Sequence, residues 1–485
     1  MKFNVSQNLK TTKMNKLLPF SVLVLLFVSC ETIQKSVKKD IHETNLSNYI
    51  NKWLEQTGIP SASYVIVKNG KIQEAEAFGY ANLRKRTPVD TSSIYSTGSN
   101  FKSVTSTAIM QLQDKGLIDI DSSVNKYFKT PIPNIDPKNP VTARQLMSHT
   151  SGIQSSISIY KLWERKPEIT LRDIKKNISF TAKPREKFQY ANDGYVLLAI
   201  LIEDITGQSY EDYIWKNILK PLGIQTVGFF VPTPEMVENL ALPYHVRYNK
   251  AYPTNQIHIA QFPAGDIFLK PSDMVKFLLM QLNMGTYEGK TILSKESVLE
   301  MHKPEIEVEK NFFYGFGFGI EKMNGETYST HQGSLPGYLS AFRMSFDKQT
   351  AVYVSTNVGA TPLQEQQIQT LLDFLTDYAN GDELKEKRIP VSRETIAENS
   401  EKFDAEKYVG KYKIENAPVY LIIENAGNQL YLINPSNERF RIDYFDNINF
   451  FLTTENEDIT FEEQNGQISA LILHSSGNNI KAKKE

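Results

Sequence analysis

The 485-residue chain has one cysteine, Cys30, so no internal disulfide forms and the fold must rest on packing. It has no apolar run long enough to cross a bilayer comfortably. Its most apolar uncharged stretch, Leu17 to Val28, is 12 residues. It has no excess of either charge: 54 basic side chains oppose 55 acidic ones, which leaves no electrostatic footprint for nucleic acid. Its seven histidines include no His-x-His and no His-Glu-x-x-His, so a metal site is not expected. Gly-x-Ser-x-Gly is absent, which argues against an α/β-type Ser-His-Asp hydrolase. With 22 prolines, 25 glycines and 40% hydrophobic residues, the composition excludes collagen-like and disordered chains and fits a globular protein of two or three domains.

What is present begins with an export signal. Lys2, Lys10, Lys13 and Lys16 precede the apolar stretch, as in the basic and hydrophobic regions of a secretory signal. The run ends Phe27-Val28-Ser29-Cys30-Glu31, which resembles the lipobox of bacterial lipoproteins although Phe27 stands where leucine is usual. The resemblance implies a signal over 1–29, lipidation of Cys30, and a polar tether over 30–44 that holds the protein to a bacterial membrane. Removing residues 1–29 takes away four lysines and moves the net charge from −1 to −1 − 4 = −5.

The rest reads as a large domain over 45–381, a charged linker over 382–402 and an all-β domain over 403–485. Ser61 to Lys68 and Lys71 to Gly79 alternate as two strands around Asn69-Gly70, a strong hairpin signal. Helical periodicity dominates from Phe101 to about Leu279, including a capping-box start at Thr142-Ala143-Arg144-Gln145. Strands return at Ser340 to Phe346 and Thr350 to Thr356, and Leu363 to Tyr378 is again helical. That order implies an α/β fold: an antiparallel sheet built from both ends of the domain and flanked by helices, with a mostly helical subdomain between. Beyond Phe403 seven short alternating runs, from Tyr412 to Leu473, are separated by Asn, Gly and Asp and predict a small antiparallel barrel or sandwich.

Ser99-Asn100-Phe101-Lys102 opens the helical pattern at Phe101. Three residues apart, Ser99 and Lys102 share one helix face, so the amine can reach the hydroxyl. A helix start also offers free amide hydrogens to a developing oxyanion. Serine is a poor nucleophile unaided, and a lysine of depressed pKa is a sensible activator. The spacing alone is weak, since it recurs at Ser36/Lys39, Ser123/Lys126, Ser158/Lys161 and Ser345/Lys348. Its company is what counts. Tyr190-Ala191-Asn192 supplies a phenol able to share a proton with Lys102 and an amide able to bind a substrate carbonyl. His331-Gln332-Gly333-Ser334 lies between candidate strands, with Gly333 allowing close backbone approach.

The ordered set Ser-x-x-Lys, Tyr-x-Asn and His-x-Gly resembles the serine β-lactamase and penicillin-binding-protein superfamily, in its class C β-lactamase-like branch. Tyr95-Ser96-Thr97-Gly98-Ser99, Gln145-Leu146-Met147-Ser148-His149-Thr150-Ser151-Gly152 and Pro263-Ala264-Gly265-Asp266 are similar to that family's signature segments, and the likeness runs from Leu46 to Tyr378. The resemblance implies that Ser99 is acylated and that Lys102 and Tyr190 exchange its proton. It implies that Asn192 positions the substrate amide, and that the amides of Ser99 and Ser334 form the oxyanion hole beside Gly333. His331 would occupy the place of the family's usual lysine. With an ordinary pKa near 6.5, a histidine there makes attraction for a substrate carboxylate conditional on pH.

The expected activity is that of an exported serine hydrolase cleaving an ester or amide, of peptidase, esterase or β-lactam type, through an acyl-enzyme and without a cofactor. The expected partners are a small-molecule or peptide substrate and, through the lipid, a membrane. The rival is a lipid-tethered sensor that acylates without turnover. His149 reads as structural, and Tyr314-Gly315-Phe316-Gly317-Phe318-Gly319 as an aromatic-glycine strand rather than a phosphate loop.

Overall fold

The computed structural model describes residues 46–156, 160–162, 169–225, 238–247, 249–390 and 404–485, apart from 416, 428, 436, 447, 453–456 and 476–477. The expected signal over 1–29, Cys30, the tether over 30–44 and part of the linker lie outside the described residues.

A helix over 46–57, α1, leads into the hairpin of β1 (Ser61–Lys68) and β2 (Lys71–Asn82). Asn69 and Gly70 carry φ of 52° and 66°, as a two-residue hairpin turn requires, so the turn chemistry read from the sequence holds. Strand β3 (Thr87–Pro88) edges the sheet. After some 220 residues the sheet resumes with β4 (Ile306–Glu309), β5 (Phe312–Tyr314), β6 (Gly319–Met323), β7 (Glu326–Leu335), β8 (Tyr338–Ser345) and β9 (Thr350–Thr356). The nine strands are antiparallel in the order β4-β5-β6-β7-β8-β9-β1-β2-β3. The join between the two halves is the β1–β9 pairing, with Val65 opposite Tyr353.

Strands β8 and β9 are buried along their whole length and β1 at all but its last residue, because helices pack over them. Val65, Val67, Phe342 and Tyr353 share one apolar cluster with Phe277 and Leu278 of α5 (Pro271–Leu282). Helix α6 (Pro362–Asn380) packs on the same three strands. Between β3 and β4 lie α2 (Lys102–Asp114), α3 (Ala143–Met147), α4 (Asn192–Thr206) and α5, with shorter turns. Helix α4 is buried from Asp193 to Ile202, consistent with its run of Val, Leu and Ile. The capping box predicted at Thr142 forms, with Gln145, although the helix it opens lasts only five residues.

The C-terminal region is a closed antiparallel barrel of eight strands, from β10 (Gly410–Ile414) to β17 (Asn478–Lys484). Seven strands were legible as alternating runs. The eighth was not, because β17 reads Asn-Asn-Ile-Lys-Ala-Lys-Lys, with Ala482 fully buried and the lysines flanking it. It closes the barrel by pairing Ile414 with Ala482.

Candidate active site

Ser99 sits in a 3₁₀ turn, Gly98–Phe101, and α2 begins only at Lys102. The turn runs without a break into α2, so Ser99 lies at the N-terminal end of this helical segment, and its surroundings are built by strand β7 and the segment 262–267. Lys102 Nζ lies 2.9 Å from Ser99 Oγ and 2.7 Å from the Ala264 carbonyl oxygen. The lysine is fully buried. Desolvation alone drives its pKa well below 10.5, and among the described residues no carboxylate offsets it. A neutral amine here donates one N–H to Ala264 and turns its lone pair to the Ser99 hydroxyl. The faces of Tyr190 and Tyr195 lie 4.8 and 5.4 Å from the nitrogen.

Tyr190 leaves 39% of its surface exposed, yet the end bearing its hydroxyl is desolvated and within the influence of the Ser99 hydroxyl. Desolvation at that end outweighs that influence and raises the phenol's pKa, so it stays protonated at neutral pH. Asn192, the first residue of α4, donates its backbone N–H to Ser155 Oγ at 3.2 Å. Its side-chain Oδ1 is buried with no partner among the described residues. Ser99, Asn192 and Ser334 line one cavity of about 440 Å³, together with His245, Thr254 and Thr361. An unpaired acceptor in that wall suits a substrate N–H.

Three glycines hold the nucleophile turn against its neighbours. A Cβ on Gly333 would lie 2.0 Å from the Thr97 carbonyl and 3.0 Å from the Ser99 nitrogen. One on Gly98, whose φ is +49°, would lie 2.4 Å from the Ser334 nitrogen. One on Gly265, at φ +152°, would lie 2.8 Å from the Ser99 nitrogen. The backbone amides of Ser99 and Ser334 are thereby drawn together at the cavity. Gly333 was expected to admit substrate backbone; it is required first by the protein's own carbonyl at Thr97.

His331 lies on β7, nine-tenths buried, and is not among the cavity-lining residues. Its Nδ1 is 2.7 Å from the Gln332 carbonyl, which can only accept, so Nδ1 carries the proton and Nε2 accepts from Tyr314 O–H at 2.7 Å. Desolvation pushes its pKa down to about 3. The expectation of a charge change near neutrality is therefore corrected: burial keeps the ring neutral throughout that range.

Reasoning from sequence missed the groups that hold this arrangement. Segment 262–267 docks by Ala264 on Lys102, by Pro263 O on Thr105 Oγ1 at 2.8 Å, and by Ile267 O on the Thr97 amide at 2.9 Å. Tyr314 came from the aromatic-glycine run, whose Gly317 would place a Cβ 2.9 Å from the Lys102 carbonyl. The run's spacing could have signalled close packing on another backbone. Tyr195 donates to the Met147 carbonyl at 2.8 Å. Tyr244 and Phe262 are buried beside the lining residues His245 and Ala264.

Comparison with known proteins agrees with this geometry. The chain is 29% identical over 334 residues to PbpX of Bacillus subtilis (strain 168), a candidate penicillin-binding protein, covering 68% of this chain and 78% of that one. The octameric penicillin-binding protein homologue from Pyrococcus abyssi superposes with a TM-score of 0.59 at 25% identity, over 91% of this chain and 99% of that one. The D-amino acid amidase from Ochrobactrum anthropi SV3 shares the fold, at a TM-score of 0.57 and 21% identity over 69% and 97% of the two chains. The model of the Beta-lactamase family matches residues 46–374, a span that holds the serine, its lysine and tyrosine and the whole nine-stranded sheet, and the chain belongs to that family of serine hydrolases.

Proposed function

We propose that this protein is an exported hydrolase that cleaves neutral esters or amides through an acyl-enzyme at Ser99, held to a bacterial membrane by a lipid on Cys30. The observation that carries the chemistry is a fully buried lysine, without a countercharge among the described residues, 2.9 Å from the serine oxygen. Lys102 takes the hydroxyl proton as Ser99 Oγ bonds to the carbonyl carbon, and the carbonyl electron pair moves to oxygen facing the Ser99 and Ser334 amides. When that pair returns, the bond to the leaving alcohol or amine breaks. The departing group takes the Tyr190 proton, and Tyr190 recovers one from Lys102. Water then attacks the acyl carbon by the same relay and frees Ser99.

The preference for neutral substrates follows from His331, which is neutral and engaged through both ring nitrogens where a lysine would present a cation to a substrate carboxylate. The D-amino acid amidase that shares the fold is in keeping with an amide among the substrates. The barrel, 403–485, is proposed as a separate module with no part in the bond-breaking steps. The test is incubation with a chromogenic ester, a cephalosporin and a D-Ala-D-Ala peptide, followed by intact mass. Wild type should turn over the ester, and Ser99→Ala should lose about 10⁶-fold in kcat and form no adduct. A stable adduct without turnover would support the sensor instead, and an adduct on Ser99→Ala would refute the nucleophile.

A further inference from the structure

One buried histidine has no part in the relay just described, yet it grips the residue that does. His149 follows α3 and is buried to 1%. Its φ is +57°, in the left-handed region that most side chains avoid. Its carbonyl accepts the Gln189 amide at 2.8 Å, and its Nδ1 accepts the Ala191 amide at 3.1 Å. These two bonds lie on either side of Tyr190. The imidazole also packs against the Tyr190 ring, with centroids 4.1 Å apart, and against Tyr314 and Tyr195 at 5.0 and 5.3 Å. The 189–191 segment precedes α4 and has no regular structure of its own, so these contacts fix where the phenol points.

We infer that His149 is a positioning residue for Tyr190: its ring supplies an acceptor for the Ala191 amide and a face for the phenol, and so holds the Tyr190 hydroxyl at Ser99. The inference rests on the acylation chemistry proposed above. Accepting the amide at Nδ1 requires the proton on Nε2, which is buried with no partner among the described residues. Phenylalanine at 149 would spare the protein that unpaired donor, but would leave the Ala191 amide unmet. Burial holds the imidazole neutral. The ring therefore serves as an acceptor through the working pH range and does not compete with Lys102 for the Ser99 proton.

The test separates the acceptor from the ring. His149→Phe keeps an aromatic face and removes the acceptor; His149→Asn keeps an acceptor in a residue that tolerates φ near +57°. Each is made in the full chain, with and without Tyr190→Phe, and acylation by a chromogenic ester is measured per labelled site across pH. His149→Phe should lose about 10–100-fold in acylation rate with KM within about twofold, since a small misplacement costs that much. It should lose little more when Tyr190→Phe is added, and His149→Asn should recover most of the loss. Per-site rates equal to wild type, or losses that multiply fully with Tyr190→Phe, would overturn the inference while leaving the nucleophile assignment intact. So would two variants that are merely unfolded, which would make the histidine structural alone. Absence of labelling in wild type would instead sink the acylation reading beneath it.

Discussion

The sheet region and the barrel bury different things. Among the described residues, buried polar side chains run from Thr57 to Thr376, and none lies in the barrel. The barrel core is Tyr408, Tyr412, Phe450, Phe461 and aliphatic residues, with aromatic centroids packed 4.7–5.1 Å apart around Tyr408. Burying a polar group costs free energy unless it is paired, and burying an amine without a countercharge costs more. The sheet region accepts those costs around Ser99, whereas among the described barrel residues the Tyr412 hydroxyl is paired with the Tyr408 carbonyl and Asn425 Oδ1 alone is buried without a partner. Chemistry is to be sought where a fold departs from the cheapest core.

The strongest way to break this comparison is to remove the costliest group. Lys102→Met should lower kcat by about 10²–10⁴-fold and raise thermal stability at pH 7 by about 2 °C or more. The folded amine is neutral well below its unfolded pKa, so over that interval the unfolded chain binds the extra proton and wild-type stability rises with pH. The advantage of the Met variant should accordingly fade as pH climbs toward 10. Thermal midpoints measured from pH 6 to 10 check it, and a Met variant less stable than wild type at every pH would refute a neutral, uncompensated lysine.

A middle-sized effect compares two glycines. Gly333→Ala drives a methyl group to 2.0 Å from the Thr97 carbonyl, so the nucleophile turn must move. It should cost about 1–3 kcal/mol and at least about tenfold in activity. In the barrel, Gly466 has φ +80° with nothing within 4 Å of an added methyl. Gly466→Ala should cost only the backbone strain, about 1 kcal/mol, and leave kcat unchanged. Denaturant midpoints and ester kinetics on both variants decide the matter.

The smallest effect belongs to His331. With its pKa pushed down to about 3, the ring gains no proton between pH 5.5 and 8. The KM ratio of a carboxylate-bearing ester to its neutral analogue should therefore vary less than about twofold over that range. A ratio that improves tenfold toward pH 5.5 would restore the charge-reading role.

What could be read from sequence was what is local or ordered. Ser99 and Lys102 are three residues apart, and helix geometry alone brings them together. The turn at Asn69-Gly70 carries its own φ requirement. Tyr190, Asn192 and His331 were found because their motifs fall in a known order. Pro263-Ala264-Gly265-Asp266 stood out as a segment, but the role of the Ala264 carbonyl did not, because a backbone oxygen has no letter in a sequence. His149 was read as structural because neither its left-handed backbone nor the three tyrosines around it are neighbours in the chain. The His331 titration failed because burial, which sequence does not display, outweighs residue type.

The β1–β9 pairing also sets an order of assembly. Val65 must wait for Tyr353, 288 residues later, before the β1 strand is flanked on both sides. Until then only the β2 hairpin protects it, and a buried-type strand stands with one open edge. The barrel is the reverse: every strand pairs with its sequence neighbour, and only the β10–β17 closure joins distant residues. Long-range pairing of the first kind is slow because the loop must close before contacts reward it. A chain that emerges N-terminus first therefore keeps its large sheet unfinished until β9 follows, whereas the barrel can form from neighbouring strands as they appear.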